Sequence, residues 1–244
     1  MIRIGTSGWV YADWRGRFYP EGLAQRKWLD YYAERFDTVE LNATTYRLPK
    51  PEQVERWCTA VPPHFIYTLK LSRLITHRKS LPQRVDEFIE NYMQRAACFH
   101  QDKVAQILVQ FPPFLQRDDE HLRRFLDKLP DRHRYVVEFR HPSWLVADVE
   151  RILAERGMAF CIHDYPGCRT RDIVTTSELA YVRLHGYLAL YVGNYPRRSL
   201  QYWARRIRTL AAQAKDVYVY FNNDTLAAAP HDARLLRRLL DMTH

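Results

Sequence analysis

Thr38-Val39-Glu40-Leu41-Asn42 shows the pattern from which the architecture of this chain follows. It is of strand length, and its side chains alternate. Thr38, Glu40 and Asn42 fall on one face, Val39 and Leu41 on the other. The same alternation returns in Val137-Glu138-Phe139-Arg140 and in Val182-Arg183-Leu184-His185, and it pairs Thr68 with Lys70 and Gln106 with Gln110. The apolar members suit a face covered by helices. The polar members are then directed at a shared interior. Buried charges are costly unless paired, so Glu40 and Glu138 are expected to pair with Lys70, Arg140 or Arg183.

Working outward, eight β-rich runs occur in order, at 2–6, 38–42, 65–70, 104–111, 134–139, 158–163, 180–185 and 217–222. Each is rich in Val, Ile, Phe or Tyr. Most are separated by helical periodicity. Val85, Phe88, Ile89, Tyr92, Ala96 and Phe99 recur at spacings of three and four, as do Leu200, Trp203, Ile207, Leu210 and Ala214. Ser199 is placed to cap the second of these helices, and Pro230 to begin the last one. Shorter helices fit 24–36, 52–60, 119–129 and 144–156. Strands alternating with helices imply parallel strands and right-handed crossovers. Eight such units close a (β/α)8 TIM-type barrel, an α/β fold for which 244 residues in a single domain, 1–244, is a typical length. The connection 164–179 holds Pro166 and Gly167 and leaves room for a turn or so, so the helix between strands 6 and 7 is expected to be degenerate. An open doubly wound sheet would usually bring a Gly-rich phosphate loop after its first strand. Gly5-Thr6-Ser7-Gly8 does not have that pattern.

Composition narrows the class. Hydrophobic residues make up 47% and charged residues 27% of the chain, a globular balance. Its opening residues run straight into strand-like sequence, with no basic start and apolar run, and no stretch approaches the roughly 20 apolar residues of a membrane span. A cytoplasmic protein with no membrane partner is expected. Cys58, Cys98, Cys161 and Cys168 form no C-x-x-C pair and read as free thiols, Cys161 as core filler. The net charge of +9 favours anionic partners, with nucleic acid among them. The arginines are nevertheless spread along the chain, and Arg205, Arg206, Arg208, Arg237 and Arg238 fit solvated helix faces. Oligomeric state is not set by the sequence.

The strand ends of such a barrel build its functional mouth. Here they supply Ser7 and Trp9, Glu40 and Asn42, Lys70, Gln110, Glu138 with Arg140 and His141, His163 with Asp164, Arg183 with His185, and Asn222, Asn223 and Asp224. One reading is a pocket for a small anionic or carbohydrate-like substrate. Glu40, Glu138 and His185 are then the acid/base candidates. Ser7, Trp9, Asn42, Lys70, Gln110, Arg140, His141, Asp164, Arg183, Asn222 and Asp224 bind substrate. The structural alternative is an ion-pair network that only fixes the barrel. No cofactor is predicted. A divalent metal is a further reading, because the carboxylates and histidines are ligand types. They form no tight motif, however, and Arg140 and Arg183 oppose a cation. Ser7 is not in a G-x-S-x-G elbow and reads as a turn former or hydrogen-bonder. Trp9, Tyr11, Trp14, Phe18 and Tyr19 in the first loop either stack on a ligand ring or pack a loop over the barrel. The segment 187–198 reads as a mobile flap or a surface loop.

These residues also carry a resemblance. Gly5-Thr6-Ser7-Gly8-Trp9 with Tyr11, Trp14, Gly16, Phe18, Tyr19 and Pro20 resembles the start of the YecE-like family (domain of unknown function 72). So do Thr38-Val39-Glu40-Leu41-Asn42 with Thr45, Tyr46 and Pro49, Lys70 with Thr76-His77, and Gln110-Phe111-Pro112-Pro113. Val137-Glu138-Phe139-Arg140-His141 with Trp144, Val182-Arg183-Leu184-His185-Gly186, and Tyr220-Phe221-Asn222-Asn223-Asp224 with Ala228 complete the series. The resemblance spans nearly the whole chain and implies a TIM-type barrel, but no settled reaction. Similar folds include metal-dependent endonucleases and sugar isomerases, an analogy of fold alone. Three functions stay open: an acid/base enzyme on a small anion or carbohydrate, a nucleic-acid binder or phosphodiesterase, and a non-catalytic ligand-binding protein.

Overall fold

Each of the eight runs forms a strand in the computed structural model, which describes residues 1–43, 48–77, 84–170 and 175–241. The strands are β1 Ile2–Thr6, β2 Thr38–Leu41, β3 Ile66–Lys70, β4 Val104–Phe111, β5 Tyr135–Phe139, β6 Ala159–His163, β7 Leu179–Leu184 and β8 Asp216–Phe221. Their spatial order is β1-β8-β7-β6-β5-β4-β3-β2, all parallel. Apart from β8 beside β1, neighbours in space are neighbours in sequence. A doubly wound sheet reverses its order at a switch point, so this is a barrel in one α/β domain.

Closure is made by few groups. Among the described residues β1 and β2 meet at the bridge between Ser7 and Glu40 rather than along a full ladder. The Tyr32 hydroxyl spans the seam. It accepts from Thr6 N at 3.0 Å and donates to the Thr38 carbonyl at 3.1 Å. Gly5 is required there, since a Cβ would stand 2.3 Å from the Thr38 carbonyl oxygen.

The helices are α1 Trp28–Ala33, α2 Pro51–Thr59, α3 Arg73–Thr76, α4 Val85–Ala96, α5 Asp119–Leu126, α6 Ala147–Ala154, α7 Arg197–Gln213 and α8 Ala228–Asp241. Asp118 caps α5 through the His121 N–H at 2.8 Å. Two expected starts shift. Helix α7 begins at Arg197, so Ser199 sits in its first turn and gives no cap bond. Helix α8 begins at Ala228, and Pro230 lies in the first turn, where a missing N–H costs nothing. Between β6 and β7 the described residues 164–170 and 175–178 form turns and no helix. Thr45 and Tyr46 lie outside the described residues.

The interior is layered. Reading up β7 in steps of two gives Leu179, Tyr181, Arg183 and then His185. Leu108, Val136, Cys161, Leu179, Tyr181, Tyr218 and Tyr220 pack the lower barrel. The Tyr220 hydroxyl joins Thr38 at 2.6 Å and Thr68 at 2.9 Å, and Gln106 donates to Thr68 at 2.6 Å. This floor leaves the charged layer above it nowhere to go but inward and up. The four cysteines are free. Among the described residues no helix is long and apolar enough to cross a membrane.

Candidate functional site

Arg183, fully buried, is the hub of the charged layer. Its Nε and Nη2 donate to the two oxygens of Glu40 at 3.0 and 2.7 Å, and its Nη1 donates to Glu138 at 2.7 Å. Ser7 Oγ and the Tyr181 hydroxyl complete the Glu40 shell at 2.7 and 2.6 Å. Both carboxylates are fully buried. Burial alone would raise them, but Arg183 and Lys70 hold Glu40 below the usual carboxylate range, and Arg140 with Arg183 holds Glu138 well below it. The expected pairing of the glutamates with Arg183 and Arg140 is therefore present.

Above this layer stands a cationic wall on β3 and β5. Arg140 Nε donates to Glu138 at 3.3 Å, and its guanidinium lies 4.5 Å over the Tyr165 ring. His185 Nε2 is 3.1 Å from Glu138 and 3.3 Å from Arg140. Lys70 is 9% exposed. Burial, then the neighbouring charges of Arg183 and Arg140, press its amine down to about 7, against the pull of Glu40 and Glu138. Gln110 Nε2 lies 3.4 Å from His77 Nε2.

The opposite side, on the ends of β8, β1 and β2, is polar without fixed charge. Asn42 Nδ2 donates to the Ser7 carbonyl at 3.1 Å, which also accepts from the Tyr11 hydroxyl. Asp224 stands beside Tyr11, and burial pushes its carboxyl up to about 8. Asn222 shares the inward parity of Tyr218 and Tyr220 and is buried at this rim.

Several expected binders do other work. Trp9 packs edge-on against Trp57 at 5.6 Å, and Trp14, Phe18 and Tyr19 are buried with Trp28 and Tyr32. The first-loop aromatics thus hold the loop on the barrel, and their faces are not offered to a base or sugar ring. His141 caps the turn Pro142–Trp144 by accepting from Ser143 N at 3.2 Å. Alternation from Glu138 and Arg140 places it on the outer face. Asp164 accepts from His185 N at 2.7 Å and from the Tyr195 hydroxyl, so it anchors the loop after β7. Glu40, with both oxygens taken by Arg183 and no exposure, positions that guanidinium and is not placed to exchange protons with a ligand. The segment 187–198, read as a mobile flap or a surface loop, is anchored at its C-terminal end. Tyr195 N and Asn223 Nδ2 both donate to the buried Asp232 carboxylate, at 2.9 and 2.8 Å, and Asn223 Nδ2 also reaches the Gly193 carbonyl at 3.0 Å.

The comparisons with known proteins bear on this geometry. Residues 3–244 match the family described as "Protein of unknown function DUF72". The chain belongs to the DUF72 family. It is 26% identical over 275 residues to UPF0759 protein YunF of Bacillus subtilis (strain 168), covering 100% of this chain and 96% of that protein. It is 32% identical over 159 residues to UPF0759 protein YecE of Escherichia coli (strain K12), covering 65% of this chain and 55% of that protein. The crystal structure of a DUF72 family protein from Thermotoga maritima superposes with a TM-score of 0.88 at 28% identity, over 99% of each chain. These matches establish the family and its barrel and leave the reaction open.

Three residues of this DUF72 chain that shape the site escape sequence reading as site residues. Tyr32 and Asp232 act across 26 and 37 residues of sequence, with no local pattern to mark them. His77 lies next to the Lys70 strand end, the one signal available. Among the described residues of the DUF72 chain no group of three or more His, Cys, Asp or Glu side chains is arranged to hold a metal. The Glu40 and Glu138 oxygens that a metal would need are directed at guanidinium groups.

Proposed function

We propose that this protein is an enzyme that binds a small anion at the barrel mouth and moves a proton on it. The observation that carries the reading is Lys70: an amine set among Arg140, Arg183 and two glutamates at a barrel mouth, held near neutrality by burial and by its cationic neighbours. A group titrating near the working pH can give and accept protons. A bound anion meets Arg140 and Lys70 together, and its charge draws Lys70 toward the protonated form. Glu138 and His185, 3.1 Å apart, stand behind Arg140 and orient its guanidinium. Glu40 keeps Arg183 in place.

Calorimetric titration of the full chain with inorganic phosphate at pH 6.5 tests the binding half. The reading expects saturable binding that weakens at least about tenfold in Arg140→Ala and in Lys70→Met, about 1.4 kcal/mol each. Equal affinity in wild type and both variants would move the anion elsewhere on the chain. With ribose 5-phosphate as the ligand, binding without exchange of its carbon-bound hydrogens for solvent deuterium, followed by NMR, favours the non-catalytic ligand-binding function.

A further inference from the structure

The two sides of the mouth differ, and the uncharged side has unmet hydrogen-bonding capacity. Among the described residues, Asn42 Oδ1 and Asp224 Oδ1 are both buried with no hydrogen-bond partner. Such atoms are rare in native interiors and costly to leave unmet. The Asn42 amide cannot turn over to relieve this, because its Nδ2 already donates to the Ser7 carbonyl, which can only accept. The Tyr11 hydroxyl lies beside both the Asp224 carboxyl and the Asn42 amide, so the three belong to one patch. That patch sits on the ends of β8, β1 and β2. The Lys70 and Arg140 cations come from β3 and β5.

We infer that the mouth takes a polyhydroxylated anion, its charged end on Arg140 and Lys70 and its hydroxyl groups donating to Asn42 and Asp224. The inference rests on the anion-binding reading above and adds the class of ligand. Hydroxyl groups supply the donors that the two oxygens lack, and a hydroxyl can also accept from the protonated Asp224 carboxyl. A phosphate or carboxylate at the far end of the same small molecule meets the guanidinium and the amine. A ligand cation is disfavoured on this side, since burial keeps the Asp224 carboxyl protonated at neutral pH. Phosphorylated sugars and sugar acids share this chemistry.

Titration of the full chain with inorganic phosphate, ribose 5-phosphate, gluconate and free ribose separates the contributions. The inference expects at least one of ribose 5-phosphate and gluconate to bind at least tenfold more tightly than phosphate. Which one it is distinguishes a phosphate from a carboxylate source. Free ribose is expected to bind too weakly to detect. Asn42→Ala and Asp224→Leu, the latter close in size but without an acceptor oxygen, are expected to remove most of that tenfold gain and leave the phosphate affinity as it was. Thermal melts of both variants check folding, and Asp224→Leu serves if Asn42→Ala unfolds. Equal affinities for phosphate and the two polyols, unchanged by either variant, overturn the inference and leave the anion site standing. No binding of phosphate, ribose 5-phosphate or gluconate overturns both.

Discussion

Arg183 and Glu40 form a two-pronged ion pair at 2.7 and 3.0 Å with neither side chain exposed to solvent. Removing one member of such a pair strands a buried charge, at a cost of about 3–5 kcal/mol. Glu40→Gln is expected to lose stability on that scale in urea unfolding. Replacing both residues with apolar ones, Glu40→Leu with Arg183→Met, is expected to recover a large part of the loss. A Glu40→Gln variant as stable as the parent would show that Arg183 is satisfied without it.

The β1–β2 seam rests on Tyr32 and Gly5. Tyr32→Phe leaves Thr6 N and the Thr38 carbonyl without the bridging hydroxyl, at an expected cost of about 1–3 kcal/mol. Gly5→Ala forces the two strands apart, because the new Cβ would meet the Thr38 carbonyl oxygen at 2.3 Å. Overpacking of this kind costs about 1–3 kcal/mol. Amide hydrogen exchange is expected to speed up in β1 and β2 before the other strands in both variants. Uniform exchange across all strands would place closure elsewhere.

Stability is expected to fall in mild acid through His163. This ring is fully buried, and burial holds it down to about 4, against an ordinary value of 6.5. The unfolded chain therefore binds the proton first, and stability drops as pH falls from about 6.5 toward 4. The lost contribution is on the order of 3 kcal/mol. Asn at this position keeps an acceptor for the Tyr165 N–H that His163 Nδ1 now receives at 3.3 Å. His163→Asn is expected to flatten the acid slope in denaturation series between pH 4 and 6.5, leaving the part due to His77. An unchanged slope would mean that His163 does not titrate in that range.

Much of this architecture is legible in the sequence. Strict alternation in 38–42, 137–140 and 182–185 told which side chains enter the barrel, and β2, β5 and β7 follow it to within a residue. The same alternation puts His141 on the outer face, a signal that its place at a strand end outweighed. What alternation cannot tell is which inward groups satisfy each other. Glu40 is a positioning group because Arg183 reaches it from β7, across 143 residues of sequence. Trp9 and its neighbours left both a stacking and a packing reading open, and only the burial of Trp14 and Tyr19 against Trp28 and Tyr32 decides for packing. Asp232 reads as one more polar residue on the last helix. Its carboxylate is in fact buried and holds the loop after β7.

The protonation of the Lys70 amine decides between a proton-carrying group and an ordinary lysine. Titration of the lysine side chains by NMR, with Lys70 assigned through Lys70→Arg, is expected to show one amine with a midpoint near 7. Added inorganic phosphate is expected to move that midpoint upward, as a bound anion favours the charged amine. A Lys70 midpoint near the ordinary 10.5, or one near 7 that ignores phosphate, would contradict a proton-carrying amine in an anion site.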